Sequence, residues 1–369
     1  MKTIAVLRSN PKDAALIRLV RSLGKAGQVD CYLWDRQGDF QPAWADDRVR
    51  YIKCTIRAGF YDLGILFKLV RFQGWLFWKL LTSGCDVIHA IDLDTGLPGM
   101  LAARLRRKKF VYQCLDPYYA MLPANWPRFL AAFARWLENR LISAADLFII
   151  TDLLRMPQHA GAKPRQVVEV ANVPNLPQLS PPPSPAGVFT VGYLGSLIEG
   201  RNLLTVIEAC GELEKYGVRL IIGSFGPLEA WVEAHTKGRQ NVFFRKWIPS
   251  YEKMLEEEAG FDLFFHITDP ANNSQKWVSP NKLFEAMAFG KAIIVGKDTL
   301  AARRVEAFGN GVAVSYGSKE ELQQTILRFR NDPDLAREMG EKGRAEFQRH
   351  WRPETMEQRL LEAYSLLLI

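Results

Sequence analysis

Ser279 to Gly290 reads SPNKLFEAMAFG, and its residue types are those of an anion site at a helix start. Ser279 suits the N-cap and Pro280 the first helical position. The free N–H groups of such a terminus, at the positive end of the helix dipole, favour a negatively charged ligand. Asn281 and Lys282 stand in the first turn and Glu285 one turn on. Leu283, Phe284, Met287 and Ala288 recur at helical spacing as a core face, which leaves Lys282 and Glu285, three apart, on the other. A surface ion pair satisfies that spacing. So does a site in which the lysine holds phosphate and the carboxylate accepts from hydroxyls.

Two further turns carry similar chemistry. After the apolar run FTVGYLG comes SLIEGRNLL, with Gly195, Ser196 and then Arg201 at a helix start. It reads either as a second phosphate-compatible end or as a solvated terminal arginine. GSFGP, with Gly223 and Gly226, is a third glycine turn, where a backbone can approach a ligand closely. Three such turns at successive strand ends point to a nucleoside diphosphate. Arg201 and Lys282 would be its cations, and Glu285 would accept from two ribose hydroxyls. In the first half, HAIDLD places His89, Asp92 and Asp94 after a strand. Asp92-Leu93-Asp94 has the form of a DxD metal motif, but Asp94 reads better as a helix cap, and no metal is assigned. His89 reads equally as a structural histidine or a substrate contact. In CLDPYY, Asp116 is a candidate base or a ligand of an acceptor hydroxyl, or simply a turn residue before Pro117.

These residues need elements to hold them. TIAVLRS, QVDCYLW, RVRYIKC, DVIHAI, KFVYQC and LFIIT read as strands in the first half. FTVGYLG, VRLIIGS, NVFFRKW, DLFFHIT, KAIIVGK and GVAVSYG do so in the second. Helical patterns alternate with them, for example Asp13 to Lys25 and Ala124 to Ile142. Short apolar strands alternating with helices imply parallel sheets built from βαβ units. The fold expected is α/β, with two doubly wound Rossmann-like domains facing across a cleft. Their boundaries are 1–172 and 188–350, joined by a proline-rich linker at 173–187, with a C-terminal helix at 351–369 packing on the frame. Open α/β sheets bind ligands outside the carboxyl ends of their strands.

Composition narrows the partners. The 369 residues are 48% hydrophobic and 24% charged, as in a soluble globular protein. The five cysteines are scattered without metal-ligand spacing, which argues against a structural zinc site and for a reducing compartment. MKTIAVLRSNP reads as a strand rather than a signal peptide. Residues 1–150 hold 22 Lys and Arg against 13 Asp and Glu, a balance of +9, and residues 151–369 hold 26 against 27. The basic half contains FYDLGILFKLVRFQGWLFWKLL at 60–81, which mixes aromatics with Lys68, Arg71 and Lys79, and RLRRKK at 104–109. Residues 60–81 read as an ordinary packed helix or as one lying in an anionic membrane interface, with 104–109 as a second basic patch. Nucleic acid is not expected, because no aromatic platform or groove-entering helix accompanies the charge.

SPNKLFEAMAFGKAIIV resembles the nucleotide-sugar signature of family 4 glycosyltransferases, which have the GT-B fold. VGYLGSLIEGRNLLTVIEA resembles their phosphate-binding strand and helix start, and LRSNP, DVIHAIDLDTGLPGMLAARL and KFVYQCLDPY resemble their acceptor-side domain. The resemblance implies a retaining transfer of sugar from a nucleotide diphosphate sugar, without a cofactor and commonly without a metal. The acceptor would be a glycan or lipid-linked intermediate at the cytoplasmic face of the membrane. It places Gly195, Ser196, Arg201, Gly223, Gly226, Ser279, Asn281, Lys282 and Glu285 around the donor. Arg8, Ser9, Asn10, His89 and Asp92 fall on the acceptor side, and Asp116, Arg201 and Lys282 are expected to act in catalysis. The chain departs from the family pattern at Trp277, where a second glutamate is frequent, at Ser196, where a basic residue is frequent, and at Leu115, where a histidine is frequent. A non-catalytic membrane-surface subunit and a nucleotide-sugar epimerase of the same fold are the alternatives.

Overall fold

The structure, a computed structural model, describes residues 2–11, 14–42, 46–59, 64–122, 126–176, 187–246, 248, 250–279 and 281–368. Asp13, residues 60–63, Ala124, most of the proline-rich linker, Trp247 and Pro280 lie outside the described residues. The chain divides into two compact units, Met1–Asn172 with Glu354–Ile369, and Val173–Pro353.

In the first unit the strands are β1 (Thr3–Arg8), β2 (Gln28–Trp34), β3 (Val49–Cys54), β4 (Val87–Ile91), β5 (Lys109–Cys114), β6 (Leu147–Ile150) and β7 (Val167–Glu169). They form one parallel sheet in the order β3-β2-β1-β4-β5-β6-β7. Six of them are the apolar runs read from the sequence. β7 has three half-buried residues, too short to carry a pattern. The helices are α1 (Ala14–Ala26), α2 (Ile65–Thr82), α3 (Leu93–Arg106), α4 (Tyr118–Met121) and α5 (Arg128–Ala144).

The second unit holds β8 (Phe189–Leu194), β9 (Val218–Gly223), β10 (Val242–Arg245), β11 (Leu263–His266), β12 (Ala292–Gly296) and β13 (Gly311–Val314), parallel in the order β10-β9-β8-β11-β12-β13. Its helices are α6 (Leu203–Gly211), α7 (Glu229–Thr236), α8 (Tyr251–Glu258), α9 (Asn273–Lys276), α10 (Asn281–Phe289), α11 (Leu300–Phe308), α12 (Lys319–Asn331) and α13 (Pro333–His350). The last helix, α14 (Pro353–Leu367), packs with the first unit. Both sheets are therefore doubly wound, and strand order reverses between β1 and β4 and between β8 and β11. Those reversal points are where ligands of such sheets bind.

Helices cover both faces of the first sheet. Phe72, Leu76 and Leu80 of α2, Ala102 and Ala103 of α3, and Leu141 and Ile142 of α5 close one face. Leu16, Val20 and Leu23 of α1 close the other, with Leu360, Ala363 and Tyr364 of α14. The last contact decides the role of His89. The imidazole is fully buried; Nδ1 lies 2.7 Å from the Tyr364 hydroxyl and Nε2 lies 3.0 Å from Gln113 Oε1. Burial pushes its pKa down to about 3, so the ring is neutral. His89 is thus a structural residue rather than a substrate contact, because α14, distant in sequence, seals the strand that bears it. All five cysteines are free and buried.

Within the basic patch at 104–109, Arg106 turns inward, with Nη1 donating to the Leu80 carbonyl at 3.0 Å and to Ser83 Oγ at 3.1 Å. Lys108 pairs with Asp86 at 3.2 Å. Among the described residues, no helix is long and apolar enough to cross a membrane.

Tyr364→Phe leaves the buried His89 Nδ1 unpaired at nearly constant volume, and is expected to cost about 1–3 kcal/mol in denaturant unfolding. An unchanged midpoint would show that the bond does not fasten α14.

Candidate functional site

At the β8/β11 reversal the structure decides against the surface ion pair on α10. Lys282 and Glu285 do not lie on a solvated face, since every residue from Lys282 to Ala288 is buried. The sheet covers one side of α10 and α13 the other, where Phe284 packs on Trp351 with ring centroids 5.1 Å apart. The Lys282 ammonium lies 2.5 Å from Glu285 Oε2 and 2.5 Å from Oε1 of Glu258, the last residue of α8. Tyr251, the first residue of α8, donates its hydroxyl to Glu285 Oε1 at 2.7 Å. Burial alone would pull the lysine pKa down; the two carboxylates more than reverse this and hold it above the ordinary lysine value. Burial, then the facing Glu285, drives the Glu258 carboxyl well up, and Lys282 draws it partly back. Neither Tyr251 nor Glu258 stood out in the sequence.

The second cation is held from β11. Arg201 precedes Asn202, the left-handed N-cap of α6, and its Nη1 donates to Nε2 of His266 at 2.8 Å. His266 ends β11 and is buried. Burial, Arg201 and Lys282, in that order, press its pKa well below the usual range, so the neutral ring is an acceptor. Arg201 is therefore not a freely solvated terminal arginine, and its buried Nε has no hydrogen-bond partner among the described residues. Tyr193, near the end of β8, lies in the field of Arg201, Lys282, Glu285 and Glu258, although burial is the larger influence and raises its pKa. The two cations thus share one neighbourhood.

Gly195 belongs to it as well, because a Cβ there would stand 3.4 Å from Lys282 Cε and 3.1 Å from the Tyr193 hydroxyl. The adjoining Ser196 is half-buried, and its carbonyl accepts from Tyr193 at 3.0 Å. Ser279 is half-buried and Asn281 exposed at the entry to α10. Gly223 and Gly226 answer to the fold instead. A Cβ on Gly223 would meet the Arg245 carbonyl at 1.9 Å, and one on Gly226 (φ +150°) the Leu197 carbonyl at 2.4 Å. At both positions the glycine is required by the close approach of neighbouring backbone. A depression of about 400 Å³ opens beside the Arg201 turn, lined by Gly200, Arg201, Asn202, Trp231 and Tyr316. The arrangement offers two cations, an unused guanidinium donor and a carboxylate, suited to a phosphorylated ligand carrying hydroxyls.

The β1/β4 reversal in the first unit also holds buried charge. Arg8 pairs with Asp92, whose Oδ1 accepts from the Leu115 N–H at 2.8 Å. Asp92 sits at φ 62°, a conformation that persists only where its surroundings fix it. It is the N-cap position of α3, so Asp94 is not the cap but lies within the first turn. Asp94 is 3% exposed, and its Oδ1 has no hydrogen-bond partner among the described residues. Burial and then Asp92 push its pKa up to about 6, with Ser9, Arg8 and Arg36 pulling back. Ser9 is buried beside it, while Asn10 is exposed. Asp116 lies on the exposed turn after β5, within the field of Asp92 and Arg8, with Arg155 at 3.2 Å. Arg155 also bonds the Leu115 carbonyl at 2.6 Å, so Asp116 and Leu115 serve one turn. Trp277 lies under Arg303, whose guanidinium carbon is 5.5 Å from the ring centre.

Because the folded state holds the Asp94 proton to about pH 6 and an unfolded Asp releases it near 3.8, the folded state binds more protons between those values. Stability contributed by the protonated form is complete below the lower value and lost as pH rises through the upper one. Wild type is therefore expected to lose on the order of 2–3 kcal/mol relative to Asp94→Asn from pH 4 to pH 7. A pH-independent difference between their unfolding free energies would contradict this.

Comparisons with known proteins bear on the fold and the family. Residues 15–175 match the family model of a glycosyl transferase 4-like domain, and residues 204–362 match a glycosyl transferase-like model. No curated protein sequence matches the chain. Among solved structures, sucrose-phosphate synthase from Thermosynechococcus elongatus is similar at a TM-score of 0.79 and 17% identity, covering 100% of this chain and 99% of its own. The Anabaena protein HepE, in complex with UDP and glucose, is similar at 0.71 and 18%, covering 99% and 100%. WaaG, a glycosyltransferase involved in lipopolysaccharide biosynthesis, is similar at 0.67 and 14%, covering 96% and 98%. With a glycosyltransferase family matched in each half and the GT-B fold shared throughout, the chain is a glycosyltransferase of the two-domain, group 1 type.

Proposed function

We propose that the protein moves a sugar from a nucleoside diphosphate sugar, a UDP-sugar in the first instance, to a hydroxyl of a glycan or lipid-linked acceptor, with retention at the anomeric carbon. The observation that carries this reading is the pairing of Lys282 and Arg201 at the β8/β11 reversal, with Glu285 anchored beside them. HepE has been solved with UDP and glucose, and WaaG takes part in lipopolysaccharide biosynthesis; both have this fold.

In this reading the departing group is a diphosphate, and the sugar passes through an oxocarbenium-like state. Negative charge gathers on the leaving oxygens, so fixed cations aimed there lower the barrier more than a strong base does. Lys282 and Arg201 supply that charge, and no metal is required for it. Glu285 accepts from the ribose hydroxyls. Lys282 can grip the diphosphate only by exchanging part of its hold on the two carboxylates, and Glu258 and Tyr251 are positioning residues that keep this exchange local. The buried cluster of Arg8, Ser9, Asp92 and Asp94 is the acceptor side. Asp94 takes over the candidate base role that the sequence gave to Asp116.

A thermal-shift panel of UDP, GDP, ADP and dTDP tests the donor half. A nucleotide at about a hundred times its Kd adds about 2.7 kcal/mol, a rise of several degrees. UDP is expected to raise the wild-type Tm and to leave Glu285→Ala unmoved. Lys282→Ala is expected to lower kcat about 10²–10³-fold. Equal shifts in wild type and Glu285→Ala would remove the assignment. Conversion of the nucleotide sugar without any acceptor would replace transfer by epimerisation.

A further inference from the structure

The helices α2, α3 and α5 close the same face of the first sheet, so their outer sides look the same way. Those outer sides are unusually apolar. On α2, Leu66, Phe67, Val70 and Trp78 are 60% to 68% exposed. On α5, Phe129, Phe133 and Trp136 recur at helical spacing with 69%, 57% and 52% exposure. Leu105 of α3 is exposed on the helix that packs against both. The sequence had pointed to α2 and to 104–109; the α5 stripe emerges only from the fold.

The charges among these side chains have one sign. The three helices contain two acids, Asp94 and Glu138, and both are buried. Every exposed charged residue on them is cationic: Arg71, Lys79, Arg104, Arg128, Arg135 and Arg140. The Arg140 guanidinium carbon lies 5.6 Å from the centre of the Trp136 ring, and the rings of Phe133 and Trp136 stack at 5.7 Å. An apolar interface with another protein would be expected to carry both signs at its rim, and a nucleic-acid face would not spend large apolar side chains on solvent. Aromatic stripes flanked by arginine and lysine, without acids, match an anionic bilayer surface. There the rings enter the headgroup boundary and the cations meet lipid phosphates.

We propose that the outer face of α2, α3 and α5 is a membrane-docking surface for anionic lipid, with α5 a full partner of α2. The face lies outside the nucleotide site of the second unit, so either assignment can fail without the other.

Flotation of the full chain with phosphatidylglycerol-rich vesicles tests it, with pure phosphatidylcholine vesicles as reference. Wild type is expected to float with the anionic vesicles and to be released by high salt. Phe129→Ser/Phe133→Ser/Trp136→Ser is expected to reduce partitioning about tenfold or more, as is Phe67→Ser/Trp78→Ser. All these side chains are more than half exposed, so both variants should keep the wild-type melting temperature and its response to UDP. Failure of wild type to float would overturn the proposal. So would variants that float equally well, or a dimer of the free protein that the same substitutions dissolve.

Discussion

A lysine ammonium buried between two carboxylates is the constraint on which the second unit turns. The Lys282 ammonium and the Glu285 carboxylate lose several kcal/mol of hydration on burial, and removing either strands the other. Lys282, Glu285 and Glu258 therefore lock α10 to α8, and Tyr251 fixes the remaining oxygen of Glu285. The consequence is a cation and a carboxylate held at fixed places in a low dielectric, where a charged ligand feels them strongly. Arg201 adds a second fixed cation, oriented by a histidine that burial keeps neutral. Such a site needs little reorganisation when charge develops nearby, and that is what departure of a diphosphate requires.

The first unit repeats the theme at its own strand reversal. Arg8 and Asp92 form a buried pair across β1 and β4, and Asp92 holds a left-handed backbone to reach both Arg8 and the Leu115 N–H. Asp94 is left buried with a raised pKa and an unused oxygen, in the manner of a group reserved for a ligand. Its scaffold is secured from behind by α14, through Tyr364 and His89.

Much of this was legible in the sequence, for physical reasons that also mark where reading stops. Strands buried on both faces are continuous apolar runs, so twelve of them could be read directly, while the three residues of β7 could not. Lys282 and Glu285 were legible as residue types at a helix start. Their burial was not, because the side chains packed on them, Tyr251 and Glu258, come from α8, some thirty residues upstream. Glu258 ends the run Glu256-Glu257-Glu258, which reads as a solvated acidic face, yet it is fully buried. His89 and His266 give the same signal, a histidine near the end of an apolar strand, and the sequence reading chose His89. What separates them is the neighbour: a tyrosine of α14 for one, a guanidinium for the other. The close backbone contacts of Gly223 and Gly226 were not legible either, since a glycine turn looks alike whether it clears space for phosphate or for another loop.

The central claim is that Lys282 and Glu285 act as one unit on the nucleoside diphosphate. Isothermal titration of UDP into wild type, Lys282→Met, Glu285→Gln and the double variant measures this directly as a double-mutant cycle. The account predicts that each single change weakens binding about tenfold or more, and that the double variant is little worse than the weaker single one. Wild-type affinity in both single variants would contradict it.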